Sequence, residues 1–298
     1  MKKLLLFILA LLIFCASTLG IYLYFKKKDD SVNIVFAIDN KYVVPCVVAI
    51  SSIQRNKKET TDLNIYVLGH DLSEENKALF TGMGVHLMEH KTHLPEFEKT
   101  HTWVSSTALT KFYLPDIFPD KNKILYLDAD IIVQGDLKEL YQTDLSNHYA
   151  AVVKGLAETI FAKAHERLGL KGYFNSGIML LNLEKMRKDK VTEQLVKWKI
   201  KNDEKHFMDQ DAFNTVFKEN VVFLPPKYNF MAPTFIKSTT DEIKQFYGIN
   251  EEPVMENAVI VHLLDTPKAW THKIAVGHKL WKKNYNLSPL GHIKRSYY

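Results

Sequence analysis

The sequence predicts an α/β fold: one domain on a mostly parallel central sheet covered by helices, preceded by one N-terminal transmembrane helix. Strand and helix signals alternate along the chain, which a parallel sheet with crossover helices satisfies most economically. The strands read as near-continuous apolar runs, as strands covered on both faces do. Ahead of them, Leu4 to Phe25 is uncharged and strongly apolar, bracketed by Lys2-Lys3 and Lys26-Lys27-Lys28, and long enough to cross the hydrocarbon core as a helix.

Val32 to Ile38 reads as the first buried strand. Val43 to Ile53 reads as a helix with Pro45 in its first turn, where no N–H is needed. Leu63 to Leu68 is a second strand, Ser73 caps a helix running to about Phe80, and Val85 to Met88 is a third strand. A helix follows over Ser106 to Leu114, then a strand over Ile124 to Val133. Apolar runs at Tyr149 to Val153, Ile178 to Asn182, Val221 to Leu224 and Val259 to His262 extend the sheet, and Val191 to Lys201 reads as a helix. No repeat or low-complexity segment interrupts the order.

The organisation expected is a membrane anchor with a short basic flank (1–30), a globular domain (31–285) and a basic aromatic tail (286–298). A cleaved signal peptide is the rival to a retained anchor, but Cys15-Ala-Ser-Thr18 makes a poor cleavage site. The net charge of +5 is mild and the basic residues are interspersed with acids, so no nucleic-acid partner is expected. Lys279 to Lys283 and Lys294-Arg295, set among Trp281, Tyr285, Tyr297 and Tyr298, suit either a second contact with an anionic membrane or a solvated C-terminal helix. Two cysteines, Cys15 and Cys46, give no disulfide framework.

The chemistry concentrates in Ile124-Leu-Tyr-Leu-Asp128-Ala-Asp130-Ile-Ile-Val133. Residues two apart in an extended chain face the same side, so Asp128 and Asp130 can share one ligand. Side by side at a buried strand end they repel each other unless a cation compensates, and oxygen ligands suit Mg²⁺ or Mn²⁺. Two exposed aspartates feeding a turn are the plain alternative. Ligands of open α/β sheets bind at the carboxyl ends of strands, and the first strand ends at Asp39 with Tyr42 just beyond. No glycine fingerprint follows it, so a dinucleotide fold is unsupported. Asp39 can instead accept an imide N–H of a base while Tyr42 lies on the ring, or the pair is a turn acid and a packing aromatic.

Five segments, Asn33 to Tyr42, Ile124 to Val133, Tyr173-Phe-Asn-Ser-Gly-Ile-Met-Leu-Leu-Asn182, Asp209-Gln-Asp211 and His262-Leu-Leu-Asp-Thr-Pro-Lys-Ala-Trp270, resemble in order and spacing the motifs of glycosyltransferase family 8. That family holds retaining galactosyl- and glucosyltransferases of lipopolysaccharide assembly and glycogenin. The resemblance implies a nucleotide-sugar-binding domain of GT-A type. It implies Asp128, Asp130 and His262 as ligands of Mn²⁺ (Mg²⁺ possible). It also implies that Ala37, Asp39, Tyr42, Lys111, Asp128, Asn175, Ser176, Asp209, Gln210 and Lys268 bind a UDP-hexose, with Gln210 and Asp209 at the reacting centre. The acceptor implied is a glycan, glycolipid or glycoprotein. Without the family, His262 reads as a core histidine, Lys111 and Lys268 as solvated lysines, Asn175 as a turn residue, and Asp209 or Asp211 as a helix N-cap.

A haloacid-dehalogenase-type phosphatase, whose strand also ends in Asp-x-Asp, and a non-catalytic sugar-nucleotide binder remain open at this point. The anchor implies a single-pass membrane protein whose domain faces a bacterial cytoplasm or a Golgi or ER lumen. Acceptor contacts are expected in Gly155 to Lys171 and Thr234 to Asn250. Asp265 stands where many relatives have glycine, and is expected to turn away from a donor phosphate towards Lys268 or Lys273.

Overall fold

Along β1 (Val32–Ile38), alternate side chains enter two different cores. Val32, Ile34, Phe36 and Ile38 join one apolar cluster, and Val35 joins the other on the opposite face. Burial on both sides is why these runs are apolar throughout. The computed structural model describes residues 17, 31–90, 106–155, 166–170, 172–202, 208–218, 220–232, 241, 244–245, 254–264 and 267–292.

After β1 come α1 (Val43–Asn56), β2 (Leu63–Gly69), α2 (Glu74–Ala78), β3 (His86–Glu89), α3 (Ser106–Leu109), α4 (Leu114–Ile117), β4 (Lys123–Leu127), β5 (Ile131–Val133) and α5 (Lys138–Tyr141). The second half contains β6 (Ala150–Lys154), β7 (Phe174–Asn182), α6 (Leu183–Lys188), α7 (Val191–Lys201), α8 (Met208–Phe217), β8 (Val221–Phe223), β9 (Phe230–Met231), β10 (Ile260–His262) and α9 (His278–Asn286). Among the described residues a seven-stranded sheet has the order β3-β2-β1-β4-β7-β6-β8, and a three-stranded sheet the order β5-β10-β9. In the large sheet only β7 runs against its neighbours, so the expected mostly parallel sheet is observed. Ser73 caps α2 as its sequence signals, accepting from the Asn76 N–H at 3.3 Å.

Four local expectations change. Ile124 to Val133 is not one strand: the last bond of its first half runs from the Asp128 N–H to Gly177 O at 2.7 Å, then the chain bends and β5 pairs with β10 instead. Helix α1 holds β5 in place, because Ser52 Oγ accepts from the Val133 N–H and Asn56 donates to Val133 O, both at 2.9 Å. The helix expected over Ser106 to Leu114 breaks into α3, a 3₁₀ turn (Thr110–Tyr113) and α4. Pro115 supplies no N–H for the Lys111 carbonyl, so an α-helix cannot run through. Tyr173 to Gly177 is strand from Phe174 onward, not an entering turn, and Asp209 to Asp211 lie in the first turn of α8, not before it.

The anchor and the membrane location also need correction. No helix among the described residues is long and apolar enough to cross a membrane. Hydropathy reports only the transfer preference of a span, which must also be a helix of spanning length; Leu4 to Phe25, Ser17 apart, lies outside the described residues. Of the C-terminal aromatics, the two described ones are not exposed. Trp281 and Tyr285 are buried, stacked 5.2 Å apart in the main core, while Tyr297 and Tyr298 lie outside the described residues.

Candidate active site

The strand order reverses at β1, which has β2 on one side and β4 on the other, so a crevice opens beyond the carboxyl ends of β1 and β4. On its β1 side Asp39 accepts the Lys41 N–H at 2.9 Å and caps the 3₁₀ turn Asn40–Tyr42. This turn delivers Tyr42 to the crevice, edge-on to Trp270 with ring centroids 5.8 Å apart. Burial pushes the Tyr42 phenol up, with Lys268 opposing and Asp130 and Asp128 adding to the rise, so Tyr42 borders the carboxylates. Ala37 is half-buried on β1.

On the β4 side, one ligand atom each of Asp128, Asp130 and His262 falls within 4.8 Å of the others. The pairing of β5 with β10 creates this cluster: Ile131 stands opposite His262, and the Leu263 N–H donates to Asp130 O at 2.8 Å. His262 is fully buried, with Nε2 3.2 Å from Asp130 Oδ1 and 4.0 Å from Asp128 Oδ2. Two carboxylates and one imidazole are a donor set that suits Mn²⁺ or Mg²⁺.

Cations already stand on these acids. Lys268 Nζ bonds Asp130 Oδ2 at 2.7 Å. Burial opposes the charge on Asp130, but His262 and Lys268 outweigh it and hold the carboxyl well below the usual carboxylate range. Burial likewise disfavours the Lys268 ammonium, yet the charge of Asp130 raises it overall. Lys111, only 3% exposed, bonds Asp209 Oδ2 at 2.8 Å and lies 3.3 Å from Asp128 Oδ1. Its burial cost is overcome by Asp128 and Asp209, so its ammonium titrates above the usual lysine range. Neither lysine is a solvated side chain.

The remaining side chains form a directed chain of hydrogen bonds. The Gly177 N–H donates to Asn175 Oδ1 at 3.1 Å, which fixes that amide. Asn229 therefore turns its Nδ2 to Asn175 Oδ1 (2.9 Å) and its Oδ1 to His262 Nδ1 (3.0 Å). An amide oxygen only accepts, so His262 donates from Nδ1 to Asn229, which sets the ring with Nε2 towards the carboxylates. At the other end Gln210 Oε1 accepts from Asn175 Nδ2 at 2.9 Å and from the Ser176 N–H at 3.1 Å, while Ser176 Oγ donates to Asp209 Oδ2 at 2.9 Å. Asn175, Ser176, Asp209 and Gln210 thus meet in one hydrogen-bonded group.

Gly177 keeps the two ends together. A Cβ there would lie 2.6 Å from Asp128 Oδ2 and overlap the His262 ring. The sequence reading missed Asn229, Trp270, Tyr173 and Tyr126, whose hydroxyl donates to Asp128 Oδ1 at 2.8 Å. Asn229, with no exposed surface, was detectable only as a lone amide between Pro225-Pro226-Lys-Tyr228 and the apolar Phe230-Met231. Asp265 and most of the two expected acceptor segments lie outside the described residues.

The family model for glycosyl transferase family 8 matches residues 33–274, spanning every residue of this crevice. The chain belongs to that family. Among curated proteins, it is 27% identical over 266 residues to a lipopolysaccharide 1,2-glucosyltransferase of Escherichia coli K12, covering 84% of this chain and 75% of that one. It is 25% identical over 259 residues to general stress protein A of Bacillus subtilis, covering 82% and 89%. A Haemophilus influenzae relative, 28% identical over 213 residues, is longer: 68% of this chain is matched, spanning 64% of the other. Among solved structures, the galactosyltransferase LgtC in complex with donor and acceptor sugar analogs superposes with a TM-score of 0.73 at 25% identity, covering 87% of this chain and 96% of that one. The fold is accordingly of the GT-A type. A match spanning both halves of the crevice sets aside the phosphatase alternative.

Proposed function

We propose that this family 8 chain transfers a hexose, galactose or glucose, from a UDP-sugar to a glycan or lipid-linked acceptor with retention at the anomeric carbon. The observation that carries the reading is the cluster of Asp128, Asp130 and His262 at the crevice edge, with Lys268 at hand on Asp130. Asp128, Asp130 and His262 would hold Mn²⁺ or Mg²⁺, which when bound supplies Lewis-acid neutralisation of the charge growing on the departing diphosphate. Asp39, Tyr42 and Ala37 take the uridine side, and Lys268 acts on the phosphates as a point charge. Lys111 and Ser176 share Asp209 Oδ2, which aims the carboxylate at the sugar hydroxyls while Asn175 and Gln210 lie beneath the ring. The Gln210 carboxamide is a poor nucleophile, and two donors already engage its oxygen. Same-face attack through an oxocarbenium-like transition state fits better, with the leaving phosphate oxygen taking the acceptor's proton.

The test is UDP release by the purified chain with Mn²⁺ and each of several UDP-hexoses. Release from UDP-galactose or UDP-glucose that stops in chelator is expected. Tight binding of UDP-sugar and metal without turnover, under any acceptor tried, would convert the reading to a binding protein.

A further inference from the structure

Gln210 has a second neighbour chain that the transfer reaction does not use directly. Its Nε2 donates to the Tyr173 hydroxyl at 3.1 Å, and that hydroxyl donates to Asp211 Oδ1 at 2.6 Å. Asp211 is 2% exposed, and its other oxygen accepts from the Arg167 guanidinium at 2.6 Å. The order of donors follows from chemistry. The Ser176 backbone N–H can only donate, so Oε1 of Gln210 must face it and Nε2 must point to Tyr173. A phenol has one proton, and a carboxylate can only accept, so that proton goes to Asp211 and the oxygen is left to receive the Gln210 N–H. Burial, and then the Asp211 carboxylate, push the Tyr173 phenol up, so it keeps that proton.

We infer that Arg167, Asp211 and Tyr173 form a positioning relay that holds the Gln210 carboxamide at one orientation under the reacting carbon. This rests on the glycosyl-transfer reading of the crevice. Arg167 comes from the Glu166–Leu170 stretch, so the relay ties the described end of the expected acceptor segment, Gly155 to Lys171, to the amide. Without the Tyr173 oxygen the buried Gln210 N–H loses its acceptor, and the carboxamide is held at its Oε1 end alone, by Asn175 and Ser176, so it is fixed less firmly. The His262 end is insulated, because the Gly177 N–H fixes Asn175 Oδ1 independently of Gln210.

Tyr173→Phe in the full chain is the direct test. The expected result is a kcat for UDP release lower by about 10- to 100-fold, the size of a misplaced positioning group. The donor KM and the Mn²⁺ Kd should stay within about threefold. With ¹⁵N-glutamine labelling, the Gln210 side-chain NH₂ signals, assigned by their loss in Gln210→Ala, should move to solvent-exchanging positions. Arg167 is half-exposed and its variants should fold, so they form a second arm: Arg167→Ala lowers kcat about tenfold and Arg167→Lys restores most of it. Unchanged Gln210 signals in Tyr173→Phe, or equal rates for the Ala, Lys and unsubstituted forms at position 167, overturn the relay. The NMR arm needs no turnover, so absence of UDP release in every form would count against the transferase reading alone.

Discussion

Around Asp128, Asp130, His262 and Lys268 the close contacts pair opposite charges or involve an imidazole, whereas around Asn175, Gln210 and Asn229 they join neutral amides, with the oxygens of Asn175 and Gln210 each accepting two donors. These two regions, a few ångströms apart, are prepared for a ligand in different ways. The amide half is set by backbone N–H groups of Ser176 and Gly177 that cannot reverse. In the charged half the protein's own cation stands on a carboxylate, Lys268 on Asp130 Oδ2. On the proposed reading a sugar would meet amides already oriented, whereas a metal ion would compete with Lys268 for that oxygen and a diphosphate would offer the lysine its next partner.

Substitutions in each half should therefore fail differently. Asp130→Ala removes the centre of the charged half and should lower metal-dependent UDP release by about a thousandfold or more, several kcal/mol of transition-state stabilisation. Two adjacent carboxylates alone suggest that this change leaves stability unchanged or raises it. The cations found on Asp130 reverse the sign, because His262 and Lys268 lose their shared partner, at a cost of no more than about 3 kcal/mol since Lys268 retains access to water. Thermal unfolding decides between the two: a Tm at or above that of the unsubstituted chain would restore the repulsion picture.

Gly177→Ala strikes both halves at once, since its Cβ meets Asp128 and His262. A drop in Mn²⁺ affinity of about 100-fold, measured by calorimetry, is expected, with a fall in Tm. If affinity is retained, the two halves have more room between them than the packing shows. Asn229→Leu removes the acceptor of the His262 Nδ1 proton and frees the ring to change tautomer; the expected loss is about 10-fold in Mn²⁺ affinity, the low end for an orienting partner. The smallest effect has the opposite sign. Lys268→Ala should raise Mn²⁺ affinity without nucleotide a few-fold, within the range of a partly exposed pair, while weakening UDP binding. Manganese titration followed by electron paramagnetic resonance, with and without UDP, reads both directions, and weaker metal binding in the absence of UDP would show that Lys268 does not compete for Asp130.

The sequence by itself determined most of the strands and the helices α1, α2 and α7, because burial on both faces forces largely apolar runs and capping residues such as Ser73 act within one turn. It also grouped Asp128, Asp130 and His262 as candidates for one site, through motifs that carry the family with them, although His262 taken alone reads as a core histidine. Local pattern could not show that the strand breaks between the aspartates, since β4 and β5 are equally apolar and only their partners differ. Nor could it show that Lys111 is buried, and Lys268 half-buried, on carboxylates, because a lysine beside an acid 98 or 138 positions away leaves no local signal.

The amide half was the least legible. Asn229, Tyr173 and Asp211 matter through which of their atoms donates and which accepts, and that assignment is a property of the assembled network. Sequence can place an amide in the neighbourhood. Only the tertiary structure, by setting the fixed backbone donors of Ser176 and Gly177 against Gln210 and Asn175, decides which end of each amide faces the site, because a hydrogen bond needs its acceptor at the right end of the right group and residue identity alone leaves both orientations open.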